Sequence, residues 1–269
     1  MLEYNIFLLL GEHHRVNNVI YTMTQKVQFF ITCLIDTFYP QIGMDVVEVL
    51  QKAGLEVLCP EGQTCCGQPA FNAGLWQEAK KVAKYTIELF EKTEGDVIIP
   101  SGSCCSMVRN HYPELFADEP GWQSRAEQLG KRCYEFSEYL VDILKIEDFN
   151  STFPGKITYH PSCHILREMG ISSQPLKLLH HVKEAEIIEL PHSEDCCGFG
   201  GVFSVEHPQL SNAFLERKIG NLSASGADIL AVCDAGCIMN INGGLSRRNL
   251  PTKALYLAQI LNHNTQDLA

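Results

Sequence analysis

The chain is 269 residues long, 45% hydrophobic and 20% charged, enough for one large core or for two domains of about 130 residues. A formal net charge of −11 and a pI near 5.4 argue against nucleic acid and against an anionic membrane surface, both of which want a basic face. No apolar run reaches the roughly 20 residues of a membrane span. Twelve cysteines with no export signal point to a reducing, cytoplasmic setting, where thiols bind metal or fill the core rather than pair as disulfides.

Residues 1–22 read as an N-terminal extension, either an unstructured tail or a stretch upstream of a start at Met23. Their apolar run NIFLLL lacks the basic flank and small-residue cleavage site of a signal peptide. A first domain is expected over 23–150. It opens with KVQFFITC (26–33), a β-rich run that ends at Cys33. Val46, Val47, Val49 and Leu50 then share one side of a helix predicted over 44–53. The strand LEVL (55–58) precedes QTCCGQP, which carries Cys65 and Cys66. Ala79, Val82, Ala83, Ile87 and Phe90 recur at helical spacing over 76–92. The strand DVII (96–99) runs into Cys104, the segment 134–144 closes the domain, and DFNS (148–151) reads as a linker.

A second domain, 151–269, repeats the first. The strand KITYHPSC (156–163) ends at Cys163, and EIIEL (186–190) precedes EDCCGFGG with Cys196 and Cys197. A helix is predicted over 208–225, opened by Pro208 and stopped by Gly226. DILAV (228–232) then leads to Cys237. Cys33 and Cys163 lie 130 apart, Cys65 and Cys196 lie 131 apart, and Cys104 and Cys237 lie 133 apart. So constant an offset marks a duplicated domain. Short apolar strands alternating with helices predict an α/β fold of two pseudo-twofold repeats, each a small parallel sheet flanked by helices.

In open parallel sheets the carboxyl edge of the strands is where ligands bind. Each half gathers four thiols there; the cysteine spacings are C-x31-CC-x37-C in the first half and, with Cys233 counted as a fifth, C-x32-CC-x35-C-x3-C in the second. Zinc is the sober alternative, but structural zinc sites favour C-x2-C knuckles that close on one small ion. Adjacent cysteines suit a larger iron–sulfur object, and the glycines behind them (Gly67; Gly198, Gly200, Gly201) let backbone N–H groups approach sulfur. Cys59 and Cys133 read as small core residues. His160 and His164 bracket Cys163 and read as hydrogen-bond donors near the site or surface residues rather than as ligands. The GFGG run is not a dinucleotide fingerprint, so flavin or NAD on this chain is not expected.

Two copies of C…CCG…C resemble the duplicated cysteine-rich domain shared by the cysteine-rich subunit of heterodisulfide reductase, the iron–sulfur subunits of glycolate oxidase and anaerobic glycerol-3-phosphate dehydrogenase, and lactate utilization protein A. FFITCLIDTFYPQIGM, GQTCCGQPAFNAG, PSGSC, YHPSCH, CCGFGGVFSV and CDAGCIMNINGG are most similar to the last of these, over about residues 26–262. The resemblance implies an iron–sulfur electron-transfer subunit that works with two other subunits to oxidise L-lactate to pyruvate. It implies clusters of the 4Fe-4S type, one per half, on Cys33, Cys65, Cys66 and Cys104 and on Cys163, Cys196, Cys197 and Cys237, with Cys105 and Cys233 as further candidates. The wider motif ends in C-x2-C, and here Ser101 replaces the first of those cysteines while Cys233 falls one residue too early in the second half. A heterodisulfide-reductase-like subunit, reducing a disulfide or other two-electron substrate at the cluster, or a glycolate-oxidase-like iron–sulfur subunit is the competing reading; a zinc-stabilised binding module is the third.

Overall fold

The computed structural model describes residues 25–263, so the extension expected at 1–22 lies outside the described residues. The first half runs β1 (Gln25–Phe29), α1 (Cys33–Phe38), α2 (Pro40–Lys52), β2 (Leu55–Leu58), α3 (Gln68–Asn72), α4 (Trp76–Phe90), β3 (Asp96–Ile99), α5 (Gly102–Ser106), α6 (Tyr112–Leu115), α7 (Pro120–Gly130), β4 (Cys133–Glu135) and α8 (Phe136–Glu138). The second runs β5 (Thr152–His160), α9 (Gln174–His180), β6 (Lys183–Ile187), α10 (Val202–Glu206), α11 (Pro208–Ser225), β7 (Ile229–Val232), α12 (Ala235–Arg247), β8 (Lys253–Tyr256) and α13 (Leu257–Asn262). Wide helical turns of the π type follow α5, α8 and Cys163.

The two sheets have strand orders β2-β1-β3-β4 and β6-β5-β7-β8, with every neighbour parallel. Identical order in both halves is the expected duplication. Val97, Ile98 and Ile99 of β3 are all buried because helices cover both faces of the sheet, which is why this strand is continuously apolar. The helices predicted from periodicity appear as α2, α4 and α11. Two strands come as additions, the edge strands β4 and β8. Another begins earlier than expected: β5 starts at Thr152, and a shift of register between Thr152 and Gly155 absorbs Pro154 and a glycine at φ +127°.

One core runs through both halves, joining Val46 and Leu50 of α2, Leu178 of α9, Ile241 of α12 and Leu257 and Leu261 of α13. A second lies on the far face of the first sheet, under Ala83, Ile87 and Phe90 of α4 and Phe116. Helix α2 packs on α13, and the equivalent pair under the duplication, α9 and α8, packs in the same way. This swap of partners is the mark of a twofold. It brings the carboxyl ends of the two sheets together at the centre. There Gly102 of α5 sits so close to Ile165 that a Cβ on it would lie 2.0 Å from Ile165 Cγ1. Among the described residues no helix is long and apolar enough to cross a membrane.

Candidate metal centre

Each CCG loop is tied to its sheet before it delivers its thiols. In the first half the Gln63 side chain accepts from Ile31 N at 2.9 Å and donates to Phe29 O at 2.8 Å, which pins the loop over the end of β1. Gly67 takes φ +86°, turns the chain into α3, and points its N–H at Cys65 Sγ, 3.5 Å away. Tyr112 Oη holds the Cys66 carbonyl at 2.8 Å. The second half uses other residues for the same purpose. Lys218 Nζ reaches from α11 to the carbonyls of His192 (3.3 Å) and Ser193 (2.8 Å), and Asn240 Nδ2 holds the Cys197 carbonyl at 2.8 Å. Gly198, at φ +85°, donates to Cys196 Sγ at 3.3 Å, and a Cβ there would meet Ser211 O at 2.4 Å.

The thiols then meet within each half. Cys33 Sγ lies 3.7 Å from Cys65 Sγ, Cys66 Sγ lies 3.3 Å from Cys104 Sγ, and Cys197 Sγ lies 3.1 Å from Cys237 Sγ. Cys163 faces Cys196 across the cavity that both line. Donation from Cys33, then from Cys66 and the Gly67 N–H, holds Cys65 well below the ordinary thiol range. Cys163, Cys197 and the Gly198 N–H do the same for Cys196. The first cysteine of each pair is thus the one at which the thiolate, the form that binds metal, is favoured.

All eight of these cysteines line one cavity of about 150 Å³ between the halves. The sequence places them on two rims; the fold turns the rims to face each other. Cys105 and Cys233 are fully buried and do not line the cavity. Cys105 lies by Cys133 and Arg109, and Cys233 by Tyr159 and Glu135. Burial pushes the Cys133 thiol up to about 12 and that of Cys59 up to about 11, as expected of inert packing residues.

Ser101 and Asp234, equivalent under the offset of 133, meet at the centre. Ser101 caps α5, accepting from Cys104 N, and Asp234 caps α12, accepting from Gly236 N. Ser101 Oγ also donates to Asp234 Oδ2 at 2.9 Å, with Ser103 N adding a bond of 3.2 Å. This link across the halves occupies the two positions where the wider motif has an extra cysteine, and sequence reasoning did not foresee it. His164 Nδ1 lies 3.5 Å from Cys163 Sγ, and its Nε2 lies 3.3 Å from Gln68 Nε2 of the other half. His160 is not a surface residue: it is 1% exposed.

Whether the site suits a bound group can be tested on its polar atoms. Thr32 Oγ1 and Ser162 Oγ, equivalent residues that line the cavity, are buried with no protein partner, as are both ring nitrogens of His160. Orphaned buried donors are costly unless something satisfies them, by about 1–3 kcal/mol each. Donors facing gathered thiolates fit a sulfur-rich anionic group, and the volume exceeds what a single ion needs. The close-set cysteines accordingly suit a metal ion or cluster.

Comparison with known proteins agrees. The cysteine-rich domain CCG matches twice, over residues 27–109 and 157–242. The chain is 47% identical over 238 residues to lactate utilization protein A of Halalkalibacterium halodurans, covering 88% of this chain and 97% of that protein. It is 46% identical to the protein of the same name from Bacillus licheniformis, covering 88% and 99%. A crystal structure of a hypothetical protein from Helicobacter pylori shares the fold with a TM-score of 0.64 at 14% identity, over 91% of this chain and about half (51%) of that one. Two CCG matches and relatives aligned almost end to end place the chain in the lactate utilization protein A family of duplicated cysteine-rich domains.

Proposed function

We propose that the chain is an iron–sulfur electron-transfer subunit of an assembly that oxidises L-lactate to pyruvate. The observation that carries this reading is the ring of eight thiols around one cavity. Cys33, Cys65, Cys66 and Cys104 would hold one cluster, and Cys163, Cys196, Cys197 and Cys237 the other. Four thiolates per half match the ligand count of a [4Fe–4S] cluster, which when bound supplies one-electron transfer. The thiolate form is favoured at Cys65 and Cys196, and Gly67 and Gly198 keep N–H groups on those sulfurs. Ser101 and Asp234 hold the two sets face to face. Lactate as the source of electrons rests on the name that the relatives carry. Oxidation of a hydroxy acid to a keto acid releases two electrons and two protons, and two one-electron sites can receive the pair in turn. Hydride or proton abstraction falls to the two partner subunits.

Anaerobic purification with iron and acid-labile sulfide analysis tests the cofactor. About four irons and four sulfides per half are expected, with no lactate oxidation by the isolated chain and activity only when the partners are added. Iron without sulfide, or pyruvate formed by the chain alone with an artificial acceptor, would overturn the reading. One observation favours a single ion instead: ligand atoms of His160, Cys197 and Cys237 lie within 4.8 Å of one another. That site would bind zinc with no visible absorption, so the same metal analysis separates the two.

A further inference from the structure

The two thiol sets share a fold but not their surroundings. At the offset that relates Cys33 to Cys163, His160 is equivalent to Phe30. Phe30 is buried and stacks on Phe90 with ring centroids 5.4 Å apart. It offers the first site no hydrogen-bond donor. His160 is equally buried, but its ligating atom lies within 4.8 Å of both Cys197 Sγ and Cys237 Sγ. Neither ring nitrogen has a hydrogen-bond partner in the protein; the nearby Ser193 carbonyl accepts from Lys218 Nζ. An imidazole carries at least one ring N–H in either protonation state, so one nitrogen has a proton to donate.

A second difference lies on the long helices. Helices α4 and α11 begin at Trp76 and Pro208, and at that same offset Thr86 is equivalent to Lys218. Thr86 is neutral. Lys218 is 0% exposed, and Cys196, Cys197 and Cys237 all act on its charge. Its Nζ donates to the His192 and Ser193 carbonyls, acceptors that suit an ammonium group held under the CCG loop. Two acids oppose it. Asp195 is paired with Arg217 Nε at 2.8 Å, and Asp234 accepts from Ser101 Oγ, Ser103 N and Gly236 N. Arg217 offsets the Asp195 charge, and three donors face the Asp234 carboxylate.

Hydrogen bonds and positive charge at sulfur stabilise the more negative, reduced state of a thiolate-bound centre. We propose that the second site is the more oxidising of the two, because His160 donates an N–H to its sulfur and Lys218 sets a buried cation beside it, so that electrons run from the first site to the second. The inference rests on the iron–sulfur reading above. One electron leaves the first site as one arrives at the second, and no bond is made or broken. The electrons are those of the 2-hydroxy acid oxidised in the assembled complex.

The test is a redox titration of the anaerobically purified full chain, followed by EPR, with iron and sulfide measured on each sample. Two separable transitions are expected, and the Cys65→Ser protein should keep the upper one, which assigns it to the second half. His160→Phe, which installs the first half's residue, should leave iron and sulfide unchanged and move only the upper transition down. The equilibrium constant for transfer between sites should fall at least tenfold, about 59 mV for one electron. His160→Gln retains a donor and should restore most of the separation. Lys218→Gln removes the charge but keeps N–H groups for the His192 and Ser193 carbonyls; it should shift the same transition even where the phenylalanine variant fails to fold. Coincident transitions in the parent protein, movement of the lower one, or no movement in either His160→Phe or Lys218→Gln would each overturn the proposal. Loss of half the iron in His160→Phe would make the histidine a ligand and end the donor role. A parent chain that binds no sulfide refutes the iron–sulfur reading itself, and is recognised before any potential is measured.

Discussion

Glu135 is the one carboxylate enclosed completely among the described residues, 0% exposed at the end of β4. Its Oε2 accepts from Ser137 N at 2.7 Å, from Ser137 Oγ and from Glu138 N at 3.2 Å, while Oε1 has no partner. Burial outweighs those bonds and pushes its pKa up to about 7 from 4.5. The native state therefore holds a proton that the unfolded chain releases between pH 4.5 and 7. Stability from this group is fully present below the unfolded value and is lost as pH rises through 7, by a few kcal/mol at most. Glu135→Gln keeps an acceptor for the cap and cannot ionise. Denaturant titrations should show it more stable than the parent at pH 8, on the order of 1 kcal/mol, with the gap closing at pH 5. An equal difference at both pH values would show that Glu135 is not the titrating group. Nothing in the local sequence CYEFSE marks this residue as buried, because its neighbours Cys133 and Phe136 suit a strand end or a helix start equally well. The cysteines are the opposite case. CCG pairs with glycine behind them mark themselves as candidate metal ligands through residue type alone, whereas His160 can be placed only once β5 and the loops over it are in position.

Elements are legible where the periodicity is long. Helices α4 and α11 carry several turns of apolar spacing and match their predicted spans nearly to the residue, while β4 and β8 are three and four residues at sheet edges and carry too little pattern. In β5 the pair Pro154-Gly155 reads as a break, and the bulge that tolerates it is made by pairing with β6, a tertiary event. The contact of α5 with the turn after Cys163 is equally invisible, since it joins residues from different domains. It can be tested at Gly102. A methyl group there meets Ile165 Cγ1 at 2.0 Å and Cδ1 at 2.9 Å, so Gly102→Ala must shift either α5 or the opposite half. Overpacking of this kind costs about 1–3 kcal/mol, roughly 2–10 °C of melting temperature for a chain of this size. Gly121→Ala in α7, with nothing within 4 Å, should be neutral or slightly stabilising. Calorimetry that ranked the two alike would show that the halves do not press on each other at this point.

At the scale of the whole molecule, the offset of about 130 residues carries the duplication, but no repeat states how its two copies face each other. That orientation depends on pairs such as Ser101 with Asp234, which only the folded chain brings together. Facing sites raise a question that separate ones would not: whether eight thiols hold two groups or one. Among the described residues the hydrogen-bonded thiol pairs stay within one half, Cys33 with Cys65, Cys66 with Cys104, and Cys197 with Cys237. Each set is also fixed by its own supports, Gln63 and Tyr112 in one half, Lys218 and Asn240 in the other. The Ser101–Asp234 link that crosses between the halves contains no thiol. Removing one ligand should therefore empty one half and spare the other. Cys65→Ser and Cys196→Ser are each expected to retain about half the iron of the parent, and the double variant almost none. Circular dichroism on the same samples must report a folded chain, because a thiol-to-hydroxyl change within a half-buried loop leaves the shared core of α2, α9, α12 and α13 untouched. If either single variant, still folded, lost all its iron, the cavity would hold one group bridging both halves. The electron path would then begin and end at a single centre.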